Sequence, residues 1–386
     1  MSITRLEGIA GFGIDEVARA AAADPTVLRL ENLDTDLRPP AGVVAVTGNA
    51  LTDDDANSYL PFIGRRSLRA AVAAHVARGS GITYDADRNV VITAGGTEGL
   101  FVSLLATVDP GREVILTDPT YAGMTQRVRL AGGRPMHVPL RVIDGRWRLD
   151  LDALAAAVTP QTAALFLMSP SMPSGAVFNR AEWQAIARLC VERDLWLIYN
   201  AAMERILFDG LTAIHPASFP GMAERTITVG SVSKELRMIG WRIGWVVGPE
   251  RVMNDIVWTH TYTVVTPPGI SQAAAEYALR TSDDGVIESV REWQRRRDML
   301  LAQFDGFPVI VPDGGWSLLL DTQALGLEPA EASRILLEQT RIAATPMTGW
   351  GEEVAGRHVR FVFSNEPVPR LAQIRQRLQG TALCGR

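Results

Sequence analysis

Along most of the chain, short apolar runs alternate with longer stretches in which apolar residues recur every three or four positions. The first 40 residues hold one helical pattern, GIDEVARAAAA, then the strand-like VLRLENL, then RPP. Residues 65–78, RRSLRAAVAAHVAR, have the spacing of an amphipathic helix. Beyond them the alternation is regular. NVVITAG, EVILTDP, TAALFLMS and LWLIYN have the composition of buried strands. TEGLFVSLLATV, YAGMTQRVRLAG, LDALAAAV and RAEWQAIARLCVERD have that of the helices between them, and RPMHVPL, TITVGSVSK and WRIGWVVG continue the series. Strands alternating with helices of about 10–15 residues predict an α/β fold on a mostly parallel sheet. After PPGISQAAAEYALR a long helix is predicted to begin near Gly285, and the remainder, with FPVIVPDGGWSLLLD and RHVRFVFSN, has α+β character. The expected organisation is a large domain over 45–284, a smaller one over 285–386, and an N-terminal segment, 1–44, that joins the smaller one.

Composition narrows the function classes. A net charge of −5 over 386 residues argues against a nucleic-acid or anionic-membrane binder. No apolar run approaches the roughly 20 residues of a membrane span, and no signal peptide is evident, so a cytoplasmic protein is expected. Of the two cysteines, Cys190 lies in an apolar helical pattern and Cys384 in the tail; neither is expected to form a disulfide or bind a metal. The run Arg295-Arg296-Arg297 is expected on a solvated helix face, and ENLDTDLRPP, with Glu31, Asp34 and Asp36, in a solvated loop, the alternative being that these carboxylates select a cationic substrate side chain. Core packing is the expected role of most tryptophans, among them Trp241, Trp245, Trp316 and Trp350.

One position stands out chemically. Of 38 basic Lys and Arg residues, a single one is lysine, Lys234 in SVSKELRMIGWRIGW. A deprotonated amine attacks an aldehyde to form a Schiff base, whereas a guanidinium stays protonated and does not. Ser231, Ser233 and Arg242 around it supply hydroxyls and a planar cation suited to a phosphate.

At these residues the sequence resembles the fold-type I, pyridoxal-phosphate (PLP) enzymes of the class I/II aminotransferase family. SVSKELRMIGWRIGW is similar to the family's SxSKxxxxxGxRxG signature, and the resemblance covers nearly the whole chain. It implies a seven-stranded-type sheet sandwiched by helices, a PLP cofactor on Lys234, an amino-acid substrate and a homodimer with shared active sites. SYLPFIG resembles the segment whose tyrosine, here Tyr59, reaches the cofactor phosphate of the neighbouring subunit. TAGGTEGL resembles the glycine-rich phosphate turn, with Gly96 and Thr97 at a helix N-terminus. DPTYAGM resembles the segment that stacks an aromatic ring on the cofactor, here Tyr121. RHVRFVFSN resembles the strand whose arginine, here Arg360, binds the substrate carboxylate.

Three positions depart from the family pattern. The family's Asn of the NPTG loop corresponds to Met172 in SMPSG. Its Asp at the pyridine nitrogen corresponds to Asn200, and its Tyr three residues later to Met203. PLP acts as an electron sink because a carboxylate keeps its ring nitrogen protonated. Asn200 is neutral. The expectation is therefore a specialised PLP enzyme that carries an amino acid through a Schiff base to β- or γ-elimination, replacement or ring formation, with S-adenosylmethionine or a second small molecule admissible as partner. A conventional aminotransferase acting on an amino acid and a 2-oxo acid is the alternative. A non-catalytic ligand-binding domain is the second alternative, disfavoured by the retained lysine.

Overall fold

The computed structural model describes residues 6–9, 11, 13–22 and 24–384. Its centre is a sheet of eight strands: β1 Val90–Thr93, β2 Glu113–Asp118, β3 Arg134–Ile143, β4 Arg146–Leu149, β5 Thr162–Met168, β6 Trp196–Asn200, β7 Thr226–Ser231 and β8 Gly244–Val247. Their order across the sheet is β1-β8-β7-β6-β5-β2-β3-β4. The pairs β2/β3, β2/β5, β5/β6 and β6/β7 are parallel. β8 runs antiparallel to both its neighbours, and β4 extends the far edge by folding back on β3. The α/β architecture expected from the alternation is therefore present.

Side chains alternate between the two faces of the sheet, as the pleat dictates. Phe166 and Ile198 enter one apolar core; Leu165, Leu167, Leu197 and Tyr199 enter the core on the opposite face. Covering helices are fixed by local chemistry. Asn179 and Glu182 form a reciprocal capping box at the start of helix Arg180–Glu192, and the Asp150 carboxylate accepts from the Ala153 N–H at the start of Leu151–Ala157. Cys190 is buried within the first of these helices, and burial pushes its thiol up to about 12, so it is unreactive at neutral pH.

A second, antiparallel sheet is built from Val309–Ile310, Ser317–Asp321, His358–Val362 and Thr345–Pro346. The N-terminal strand Leu28–Arg29 pairs in parallel with Ile342–Ala343, and Val362 donates to Leu30 O at 2.8 Å. Residues 28–30 are thus tied by backbone hydrogen bonds to the C-terminal part of the chain.

Two sequence expectations are corrected here. Only Arg295 of the arginine run is solvated. Arg296 and Arg297 are buried and paired, Arg296 with Asp36 at 2.6 Å and Arg297 with Asp209 at 2.8 Å. They face inward because helix Val286–Gln303 packs its face against the N-terminal segment and the Asp209 turn. Glu31 is likewise not solvated: it lies in a bend beyond strand Leu28–Arg29, but is fully buried and bridged by Arg29 at 2.6 Å.

Candidate active site

Met168, Asn200 and Ser231 terminate β5, β6 and β7, and all three line one cavity. Ligands of open α/β sheets bind at this carboxyl edge. Gly96, Thr97, Tyr121, Met172 and Met203 line the same cavity, as do Ser233, Lys234, Arg242 and Arg360. Tyr59 does not. It is 82% exposed, in a surface hollow with Asn57, Ser58 and Pro267.

Lys234 follows β7 directly. Its Nζ donates to Leu33 O at 2.9 Å and lies 4.8 Å from the centre of the Trp316 ring. Burial brings its pKa down from 10.5 to about 8, opposed by Asp34 and assisted by Arg360 and Arg242. Roughly a tenth of the amine is thus neutral at about pH 7, against well under a thousandth for an ordinary lysine. Next to it, Glu235 takes two hydrogen bonds from Arg205, which also reaches Asp284 at 2.7 Å, so the backbone behind the lysine is held by an ion-pair network.

One end of the cavity is built for an anion. Gly95, at φ 82°, precedes helix Gly96–Thr107, whose first-turn N–H groups have no intrahelical acceptor. A Cβ on Gly95 would collide with the Arg242 guanidinium, and one on Gly244 would come within 2.5 Å of the Gly95 carbonyl carbon. Glycine is required at both positions by this close approach. Arg242 Nη1 donates to Ser233 Oγ at 3.3 Å and to Ile239 O at 2.8 Å, and the Ser233 N–H donates to Ser231 Oγ at 3.3 Å. Behind the turn, Glu98 accepts from the Ala94 N–H at 2.7 Å and from His260 Nδ1 at 2.7 Å. His260 Nε2 faces the Phe62 carbonyl at 2.8 Å. A carboxylate and a carbonyl can only accept, so both ring nitrogens must donate. Burial acts against this charge, but the hydrogen bond and charge of Glu98 outweigh it and raise the His260 pKa.

The same cavity holds a second cation. Arg360, in strand His358–Val362, has 0% exposure. Its Nη2 donates to Glu31 O at 2.5 Å and Thr345 Oγ1 at 3.3 Å, and its guanidinium carbon lies 4.7 Å from the Trp350 ring centre. Nε and Nη1 are buried without a partner. Burial lowers its pKa from 12.5 to about 10, with Tyr121 and Glu31 opposing. A buried, half-satisfied guanidinium is costly unless an anion joins it. Trp350 is set in place by Asp118 at the end of β2, whose carboxylate accepts from the N–H groups of Glu352, Glu353, Val354 and Ala355. Tyr121 packs against Trp350 at 5.8 Å between ring centres.

Between the two cations, Met168, Met172, Met203 and Asn200 present no charge. Sequence reasoning missed Asn32, Leu33 and the helix Gly13–Ala21, whose Ile14 and Asp15 also line the cavity. Leu33 contributes only a backbone carbonyl, which leaves no mark on residue type. Trp316 is a core residue as expected, and also touches the lysine.

The residues of this cavity match a shared ancestry. The chain matches the family described as aminotransferase class I and II over residues 26–375. The chain belongs to this family. Among its relatives is the arginine–pyruvate transaminase of Pseudomonas aeruginosa, 35% identical over 93% of this chain and 90% of that protein. A probable N-succinyldiaminopimelate aminotransferase of Mycobacterium tuberculosis is 36% identical over 83% of this chain and 86% of its own. The solved structure of the Mycobacterium tuberculosis N-succinyldiaminopimelate aminotransferase superposes with a TM-score of 0.91 at 33% identity, over 98% of this chain and 99% of that one. The Thermus thermophilus aspartate aminotransferase with maleate gives 0.91 at 28%, over 98% of each chain. Class I and II aminotransferases are PLP-dependent enzymes, and so is this protein. Its residues fit the cofactor: one cavity brings together a depressed-pKa lysine, a helix N-terminus with Arg242, and Arg360 with two nitrogens that lack a partner.

The relatives also correct an expectation. Elimination, replacement or ring formation had been inferred from Met172, Asn200 and Met203, but the named relatives are aminotransferases. Nor does S-adenosylmethionine find support among them. The three positions lie on the lining of the same cavity, which still carries the lysine and both arginines.

Proposed function

We propose that the protein transfers the amino group of a free α-amino acid to a 2-oxo acid. The observation that carries this reading is the grouping of one neutralisable lysine and two arginines on the lining of a single cavity. PLP, when bound, supplies the carbonyl that captures the substrate amine and the conjugated ring that accepts electrons from Cα. The chain supplies the rest. Arg242, Ser231, Ser233 and the N–H groups of Gly96 and Thr97 hold the phosphate. Arg360 holds the substrate carboxylate through the nitrogens that lack a partner. This fixes Cα beside Lys234, whose amine removes the Cα proton and returns it elsewhere. Tyr121 and the methionines exclude water around the reacting atoms.

A homodimer belongs to the same reading. Tyr59 faces solvent away from its own cavity, and Trp258 and Tyr262 stack on the surface at 61% and 82% exposure. A second copy would cover these aromatics and bring Tyr59 to the other cavity.

The donor test is a panel of arginine, aspartate, aromatic amino acids and N-succinyldiaminopimelate, each with pyruvate or 2-oxoglutarate, in the presence of PLP. The expected result is a new amino acid formed from the oxo acid in equal amount to the donor's own oxo acid. Release of ammonia with no new amino acid would sink the reading.

A further inference from the structure

The midsection of the cavity carries an asymmetry that residue type alone does not reveal. Asn200 ends β6, is only 7% exposed, and sits among Met168, Met172 and Met203. Its amide could in principle face the cavity with either end. The backbone decides the matter: the Ala202 N–H points at the Asn200 side chain at 3.2 Å, and a backbone N–H can only donate. The atom it meets is therefore Oδ1, and the amide's NH2 is the end left to serve the cavity. Among the described residues lining the cavity, Asp15 on the N-terminal helix Gly13–Ala21 is the only carboxylate, and it is exposed. Glu204, four residues after Asn200, is turned away from the cavity. It accepts from the Tyr199 hydroxyl at 3.1 Å on the other face of the sheet, where burial pushes its pKa up to about 8.

The geometry points to Asn200 as a fixed hydrogen-bond donor that holds the cofactor's ring nitrogen in its unprotonated form. This rests on PLP in the cavity, the part of the proposed function that does not depend on which reaction follows, and on Asn200 facing that nitrogen. A donor needs a lone pair opposite, and an unprotonated pyridine nitrogen has one. A protonated nitrogen would set N–H against N–H in a buried site with no charge to compensate it, which is the costly arrangement for polar groups. The three methionines reinforce the choice. They offer no strong donor or acceptor and keep the surroundings apolar, which disfavours the charged ring further. Asn200 is in these terms a positioning residue for ring charge.

The test reads the ring directly. Protein is loaded with PLP labelled with 15N at the ring nitrogen, and its chemical shift is recorded from about pH 5 to about pH 9 beside the free cofactor, whose own titration shows where an unheld ring nitrogen gains its proton. The expected shift is that of unprotonated pyridine at every pH. Asn200→Asp, nearly the same size, is expected to move the signal to the pyridinium position and to retain the cofactor about tenfold more tightly, because a charge-assisted hydrogen bond replaces a neutral one. Asn200→Ala removes the donor without supplying a charge, and is expected to keep the unprotonated shift with weaker retention. A pyridinium signal in the unaltered protein, or an Asn200→Asp signal that stays where the unaltered one was, would overturn the inference. The donor panel is scored separately. An unprotonated ring in a protein that forms no new amino acid would remove the reaction reading and leave this one standing; ordinary amino transfer with a protonated ring would do the reverse.

Discussion

At the scale of single residues, Lys234 and Arg360 bear the sharpest expectations. Because no other lysine exists in the chain, PLP trapped on the protein with borohydride should modify one internal peptide, the one containing residue 234, as read by mass spectrometry. Only the neutral amine reacts, and burial places its pKa at about 8. The trapping rate should therefore rise about tenfold per pH unit below that value and level off above it. A profile still rising at about pH 10 would mean that the amine is not desolvated. Lys234→Arg keeps the charge but cannot give up its proton, and amino transfer should fall by at least about a thousandfold. Arg360→Lys keeps a cation but loses the planar donor set. It should raise KM for the amino donor with a loss of about 2–3 kcal/mol in kcat/KM, measured by steady-state kinetics. The two charges were legible in the sequence because lysine and arginine are chemically distinctive and occur in ordered segments. The orientation of Asn200 was not, because it is set by the Ala202 N–H, a group every non-proline residue has.

At the scale of elements, the phosphate turn shows what a pattern of glycines means once packed. Gly244 opens β8 where that strand passes under Gly95 and Gly96, with no room for a methyl group. Gly244→Ala must push the turn away from Arg242. The expected outcome is a loss of PLP affinity of about tenfold or more, with a stability cost of about 1–3 kcal/mol, measured by cofactor titration and thermal unfolding. The His260–Glu98 pair behind the same turn gives a pH dependence with a definite sign. The His260 pKa is raised above 6.5 in the folded chain. Its stabilisation is therefore complete below the unfolded value and is lost as pH rises through the folded one. The unfolding temperature of the parent should drop more than that of His260→Gln between about pH 6 and about pH 9, and equal slopes would refute the charged assignment. Buried strands such as TAALFLMS and LWLIYN announced themselves as apolar runs. Helix Val43–Ala50 did not. Its sequence VVAVTGNA is β-branched and apolar on more than one side, and its helical state comes from packing on helix Gly269–Arg280. Strand β4, RWRL, was also missed, since it exists only by folding back on β3.

At the scale of the whole molecule, the question is what covers the exposed aromatics. Trp258 and Tyr262 project from one face of helix Glu250–Thr263, whose other face packs on the protein through Val252, Met253 and Ile256. The same helix carries His260, which bonds Phe62 O only three residues from Tyr59. A dimer formed through this face would thus connect the phosphate turn of one subunit to the segment that serves the other. If so, Lys234 and Tyr59 of one working site come from different chains, and two defective variants should complement each other. Lys234→Ala and Tyr59→Ala homodimers each lack a needed group in both sites. In a mixed dimer, one site inherits both defects and the other inherits neither. Unfolding and refolding an equal mixture should therefore restore about one quarter of the parent activity, since half of the dimers are mixed and each has one intact site. Tyr262→Glu in both chains should suppress this recovery and shift the sedimentation coefficient towards the monomer. A refolded mixture no more active than its separate components, from chains that sediment as dimers, would mean that Tyr59 does not serve the partner's site.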